Sequence, residues 1–212
     1  MADTLEIVTL KQVRAALALT NFDHEAAHAR MSPVPRPIVR APDLPGEPKQ
    51  AAVLILLYPH LGQLYFPLIR RAEYPGVHSG QISFPGGRRE IGEEAEDCAT
   101  RETQEEIGVP CEDIRILGQL TTIYVPPSDY LISPIVGSVA ERPNWQPDPT
   151  EVAEIIEVPL AMLFDDTLKA SRDVERYGRP FHIRYYGLHG HEVWGATAIL
   201  LSELEHRLRT VF

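Results

Sequence analysis

Residues 79–109 read SGQISFPGGRREIGEEAEDCATRETQEEIGV, and the fold turns on this stretch. Its second half places Arg101, Glu102, Glu105 and Glu106 within six residues, with Gly108 two places beyond. On a helix, positions 102, 105 and 106 fall at i, i+3 and i+4, so three carboxylates share one strip of surface. Such anions repel one another, and a helix gains nothing from them on its own. A divalent cation relieves the repulsion, and oxygen-only ligands select a hard ion such as Mg²⁺ or Mn²⁺. Arg101 is placed to hold one carboxylate from behind. The competing reading of ETQEE is a solvated acidic face, the usual fate of a charge run. The upstream residues tip the balance. Phe84-Pro85-Gly86-Gly87 reads as a strand end and a turn that lets backbone approach closely, and Glu93 then precedes the helix.

The spacing is Gly87, five residues, Glu93, seven residues, Arg101-Glu102, then Glu105-Glu106, Ile107, Gly108 and Val109. In this it resembles the Nudix box. Thr103 departs from the aliphatic residue usual at that place, a matter of helix packing more than of chemistry. The resemblance implies an α/β fold, a Nudix-type α/β/α sandwich around a mixed β-sheet, and metal-dependent hydrolysis of a diphosphate bond. It implies Glu102 and Glu106 as first ligands of Mg²⁺ or Mn²⁺, with Glu105 a third. Arg101 would orient a carboxylate, and Glu93 would support the loop or a metal-bound water. The general base stays open between a box glutamate and an acid outside the box.

Residues 67–87, PLIRRAEYPGVHSGQISFPGG, are similar to the signature that precedes the box in the coenzyme A pyrophosphatase branch of the family. The matching residues include Leu68, Arg71, Ala72, His78, Gly80 and Phe84 through Gly87; Ile69 and Gly76 stand where the branch has a threonine and an arginine. Arg70 and Arg71 are candidates to supply the missing positive charge. His78 has two readings, a substrate contact or an ordinary structural histidine. Gly86 and Gly87 give backbone approach to phosphate, or simply turn geometry. Residues 121–129 also resemble that branch, and Tyr124 there either stacks on an adenine or packs half-buried. The implied reaction converts coenzyme A or a derivative to adenosine 3′,5′-bisphosphate and 4′-phosphopantetheine. The alternatives are ADP-ribose or NADH-type substrates, and a non-catalytic nucleotide-binding domain.

The remaining sequence bounds these expectations. A chain of 212 residues with 44% hydrophobic content suffices for one domain. Residues 1–49 are expected to form an N-terminal helix (over 8–20) and a connector whose stretch 32–49 holds six prolines; residues 50–212 form the hydrolase domain. Cys98 and Cys111 offer neither a disulfide framework nor zinc spacing, which fits a cytoplasmic setting. The formal net charge of −10 argues against a general nucleic-acid binder, and no run is long and apolar enough to span a bilayer. A small-molecule substrate is the expected partner, with a homodimer as a further expectation. Strands are expected at 51–57, 63–70, 114–120, 130–139, 180–186 and 191–194, with a short helix at 159–164 and a closing helix ending near Leu208. Glu151 and Glu154 compete for the place of an acid supplied from outside the box.

Overall fold

The computed structural model describes residues 7–35, 40, 44–73, 80–176 and 178–212. His78 and Gly76 lie outside the described residues. Helix α1 (Leu10–Leu17) starts at Thr9, whose hydroxyl accepts the Gln12 N–H while the Gln12 side chain accepts the Thr9 N–H, a reciprocal capping box. It is shorter at both ends than the apolar spacing suggests. Helix α2 (His24–Ala29) follows, capped by Asp23.

Strand β1 (Lys49–His60) is the centre of the molecule. Its apolar run AAVLILL is buried almost throughout because both faces are covered. Ile55 and Leu57 point into one cluster, and Ala52, Leu54, Leu56 and Tyr58 into the other, as a two-residue period requires. A tight turn at Leu61-Gly62 leads to β2 (Gln63–Arg71), antiparallel to β1. The short strands β3 (Ile82–Ser83) and β4 (Gly86–Arg88) follow, β3 on β2 and β4 on β1. Helix α3 (Ala95–Ile107) ends at Gly108, whose φ of 75° closes the C-terminus. A side chain there would also press on Gln146, whose Cβ lies 2.5 Å from the position a Cβ would take.

Strands β5 (Arg115–Gln119), β6 (Ile123–Val125) and β7 (Tyr130–Ser138) continue the sheet, and β7 lies parallel to β1. Strand β8 (Val152–Pro159) returns to the outer side of β2, and a 3₁₀ turn at Leu160–Phe164 replaces the expected short helix. Strands β9 (Lys169–Arg176), β10 (Arg179–Leu188) and β11 (His191–Trp194) make a second, antiparallel sheet. Helix α4 (Gly195–Val211) closes the chain, slightly longer than expected.

Among the described residues, eight strands thus form one mixed sheet and three a smaller one. Helix α3 covers one face of the large sheet with Cys98, Ala99 and Ile107. Helix α4 covers the other with Leu200, Leu201, Leu204 and Leu208, and Val8, Val13, Ala16 and Met31 of the N-terminal segment join that same cluster. This is the expected α/β/α arrangement. No strand is expected from the sequence at 152–159 or 169–176, yet both form. In β8 acids interrupt the apolar alternation; in β9, KASRDVER, almost nothing is apolar, and it is held by pairing with β10 and by ion pairs from Lys169 to Glu205 and from Arg172 to Glu192. Tyr124 likewise lies in a strand, β6, rather than a loop.

Candidate active site

The loop between β4 and α3 is bound to the helix by one side chain. The Arg101 guanidinium donates to Glu93 Oε1 at 2.8 Å and Oε2 at 3.2 Å, to Glu102 Oε1 at 2.8 Å, and to Glu105 Oε2 at 3.0 Å. Glu93 in turn accepts the Glu90 N–H at 2.8 Å, and Arg89 donates to the Glu93 carbonyl. Arg101 holds the Glu93 carboxyl down to about 2, so it is an anion at any ordinary pH. Arg101 and Glu93 therefore form the brace of the loop.

Glu102 and Glu106 sit one turn apart, in tighter surroundings. The Glu106 Oε2 accepts the Gly86 N–H at 2.8 Å. Its Oε1 is buried and has no hydrogen bond; the nearest cation, Arg71, stands 3.6 Å away. Burial pushes the Glu106 carboxyl up to about 7, and the charges of Glu102 and Glu151 push the same way. Burial also raises Glu102, against the pull of Arg101 and with the push of Glu105 and Glu151. Gly87 is required beside it, because a Cβ there would fall 2.6 Å from Glu102 Oε1 and closer still to its other carboxyl atoms. At Gly86 a Cβ would collide with the Ala52 carbonyl and with Val53 Cα on β1.

The acids outside the box are now distinguished. Glu151 precedes β8, and its carbonyl accepts the Ala72 N–H at 2.8 Å, which sets it beside the end of β2; its charge bears on both Glu102 and Glu106. Glu154 faces elsewhere, paired with Arg70 at 3.0 Å and with His191 at 3.5 Å. Arg70 is thus turned away from the box, and Arg71 toward it. Cys98 is a packing residue: it is buried, its thiol donates to the Gly87 carbonyl at 3.7 Å, and burial pushes it up to about 12. Thr103 is buried too, and its hydroxyl donates to the Ala99 carbonyl at 2.7 Å, which removes the polar cost of the departure noted above.

A cavity of about 910 Å³ adjoins the loop, bordered there by Arg71, Gly86, Gly87 and Arg88. Tyr124 lines it as well, with its hydroxyl donated to Asp129 Oδ1 at 3.0 Å. Asp129 is gripped by Arg40 through two bonds of 2.7 Å each, which ties the connector to the cavity wall. Arg88 was not singled out from sequence, though its place directly after Gly87 is a signal that could have found it.

Among the described residues no three acidic, histidine or cysteine side chains stand ready around a common point, because Arg101 and Arg71 lie among the acids. The donor set nonetheless fits a hard divalent cation. It is all oxygen, it contains a buried carboxylate oxygen without a hydrogen bond, and the neighbouring carboxylates raise the proton affinity of Glu102 and Glu106. Glu102, Glu105 and Glu106 are the candidates to hold one.

Comparison with known proteins gives a match to the NUDIX domain family over residues 48–178. The chain is 33% identical over 161 residues to a Pectobacterium atrosepticum protein named "Uncharacterized Nudix hydrolase NudL", covering 74% of this chain and 81% of that one. It is 32% identical over 143 residues to the protein of the same name in Photorhabdus laumondii, covering 67% and 76%. Among solved structures, a MutT/nudix family protein from Enterococcus faecalis matches with a TM-score of 0.54 at 19% identity, covering 81% of this chain and 66% of that one.

Proposed function

Since the chain belongs to the Nudix hydrolase family and is an enzyme of its pyrophosphatase kind, we propose that it hydrolyses the diphosphate bond of coenzyme A or a derivative. The products are adenosine 3′,5′-bisphosphate and 4′-phosphopantetheine or its acylated form. The observation that carries this reading is the cavity of about 910 Å³ that begins at Arg71, Gly86 and Gly87, next to the box carboxylates. A substrate with a diphosphate between two large arms needs such a space on at least one side of the reacting bond.

The residues divide the work. Glu102, Glu105 and Glu106 would hold Mg²⁺ or Mn²⁺, which would supply charge neutralisation at the diphosphate oxygens and activation of the attacking water. Arg101 fixes the direction of Glu102 and Glu105, and Glu93 fixes Arg101. Gly86 and Gly87 let the phosphate come close to backbone, and Arg71 offers it a guanidinium from the cavity side. Tyr124 lies along the path of one arm. Glu151, an acid at the edge of this group, is the candidate from outside the box for a further ligand or for the general base. Arg70 has no part in this arrangement, being paired with Glu154 away from the cavity.

ADP-ribose or an NADH-type dinucleotide is the second reading. It rests on the departures from the coenzyme A branch signature at Ile69 and Gly76. Mass-spectrometric product analysis separates the two, with coenzyme A, ADP-ribose and NADH each incubated with Mg²⁺ and with Mn²⁺. Adenosine 3′,5′-bisphosphate from coenzyme A is the expected result. AMP from the other two with coenzyme A intact would overturn the substrate and keep the chemistry; no product from any would leave a nucleotide-binding domain.

A further inference from the structure

Beside the Gly86-Gly87 turn the large sheet carries a pair of neighbouring cations. In the register of β1 with β4, Gly86 stands opposite Val53 and Arg88 opposite Ala51. Val53 and Ala51 both line the cavity of about 910 Å³, so Arg88 lies on that same face, and Lys49, two residues before Ala51, follows them. The Lys49 Nζ stands 5.4 Å from the centre of the Tyr130 ring, its partner across β7, which places it on this face as well. Arg88 and Lys49 also border a second cavity of about 350 Å³. Among the described residues neither side chain stands in an ion pair. The acids near them are engaged elsewhere: Asp129 by Arg40, Glu93 by Arg101, and Glu94 faces Arg89 at 3.8 Å. Of the acids lining the smaller cavity, that leaves Glu90. Ser128 and Tyr130 line the larger cavity, and among the described residues their hydroxyls make no hydrogen bond. In a chain of formal net charge −10, two adjoining cations with spare donors beside them reverse the field locally in favour of an anion.

We propose that Lys49 and Arg88 form a subsite for a phosphomonoester carried by the substrate, with the Ser128 and Tyr130 hydroxyls as neutral donors. The assignment rests on the diphosphate reading above, which puts the reacting phosphates at the Gly86-Gly87 turn. From Gly86 to Arg88 is two residues of strand, about 6.6 Å. A ribose with phosphates on its 3′- and 5′-oxygens bridges a gap of that order. With the 5′-phosphate at the turn, the 3′-phosphate therefore reaches Arg88. The guanidinium meets two of its oxygens as a fork, and the Lys49 ammonium meets it as a point charge. Coenzyme A and its derivatives carry this group; ADP-ribose and NADH do not, and they leave both cations unmatched. Lys49 and Arg88 thus select between the two substrate classes, while the box acids serve the reaction common to both.

The test is calorimetric titration of the full-length protein, with Mg²⁺ present, against adenosine 3′,5′-bisphosphate and against AMP. The bisphosphate should bind about 10–100-fold more tightly, the worth of a charge-assisted hydrogen bond to the added group. Arg88→Gln should bring that ratio close to one, and Lys49→Gln should lower it. Both side chains are exposed, so neither variant should change the melting temperature. Equal affinity for the two ligands in the wild-type protein overturns the inference, as does a ratio that survives Arg88→Gln. So does an equal fall with Arg115→Gln, a β5 cation lining neither cavity, since overall charge would then account for the preference. Kinetics then compare coenzyme A with 3′-dephospho-coenzyme A, for which kcat/KM should be lower, with Arg88→Gln closing the gap through KM. Equal kcat/KM for the two in the wild-type enzyme sinks the subsite and keeps the diphosphate chemistry. If neither compound is cleaved while the bisphosphate preference and its loss behave as expected, the coenzyme A reading fails and the subsite stands.

Discussion

At Glu106 one carboxylate oxygen is satisfied by the Gly86 N–H and the other is buried without a hydrogen bond. A buried carboxylate in that condition costs the fold more than it returns. On the proposed function its use is in holding a cation. Glu106→Gln keeps the shape and the acceptor for Gly86, so the melting temperature of the cation-free protein should not fall. Turnover with Mg²⁺ or Mn²⁺ should fall by more than the ~10–100-fold that loss of a mere supporting partner costs. A loss of stability with activity preserved would make Glu106 a structural residue. Gly87 makes the complementary case. Its φ is not in the left-handed region, so Gly87→Ala carries no backbone strain, yet the new Cβ would press on the Glu102 carboxyl. Steady-state kinetics should show kcat reduced at least tenfold, the lower end of the range for disturbing a ligand's setting. Unfolding by urea should reveal a much smaller proportional change. Equal damage to both would mean that the turn, not Glu102, needs the glycine.

Helix α4 is tied to the N-terminal helices through Glu203. This buried carboxylate meets His28 at 2.6 Å, Arg207 at 2.9 Å and the Thr121 N–H at 3.1 Å. Burial alone would push the carboxyl up, but bonds from His28, Arg207 and Thr121 outweigh it and hold it at about 2. A folded value below the unfolded one of about 4.3 means that the unfolded chain binds more protons in this window. The stability contributed by Glu203 is thus fully present above pH about 4.3 and is lost as pH falls toward 2. Glu203→Gln leaves Arg207 buried without its anion and should cost about 3–5 kcal/mol near neutral pH. Denaturation curves of the two proteins should converge as the pH approaches 2; a constant gap down to that pH would show that shape and not charge is at issue. At this scale β8 also matters, since it begins at Val152 and so leaves Glu151 at the box and carries Glu154 across to Arg70.

Across the molecule, what was legible follows from how local each signal is. The β4–α3 loop-helix could be read because its acids, Arg101 and the two glycines lie within one short stretch and make sense only together. Strand β1 was legible for a different reason: a strand buried on both faces is a continuous apolar run. Strands β8 and β9 depend on partners far along the chain, β2 and β10, and carry no apolar alternation to announce them. The choice between Arg70 and Arg71, or Glu151 and Glu154, needed the pairing of β2 with β8, where the register shifts between the two arginines. If the box carboxylates hold a cation as proposed, the same long-range closure makes its binding a property of the whole fold. Glu102 and Glu106 come from α3 and Glu151 from the approach to β8, and an unfolded chain does not bring them together. A cation that binds only the folded state at 100 times its Kd adds about 2.7 kcal/mol. For a chain of this size that is a rise of roughly 5–11 °C in Tm. Mg²⁺ or Mn²⁺ should produce such a shift, a chelator should reverse it, and Glu106→Gln should abolish most of it. A Tm indifferent to both ions would remove the box carboxylates from the role of cation ligands, whatever the enzyme then proved to cleave.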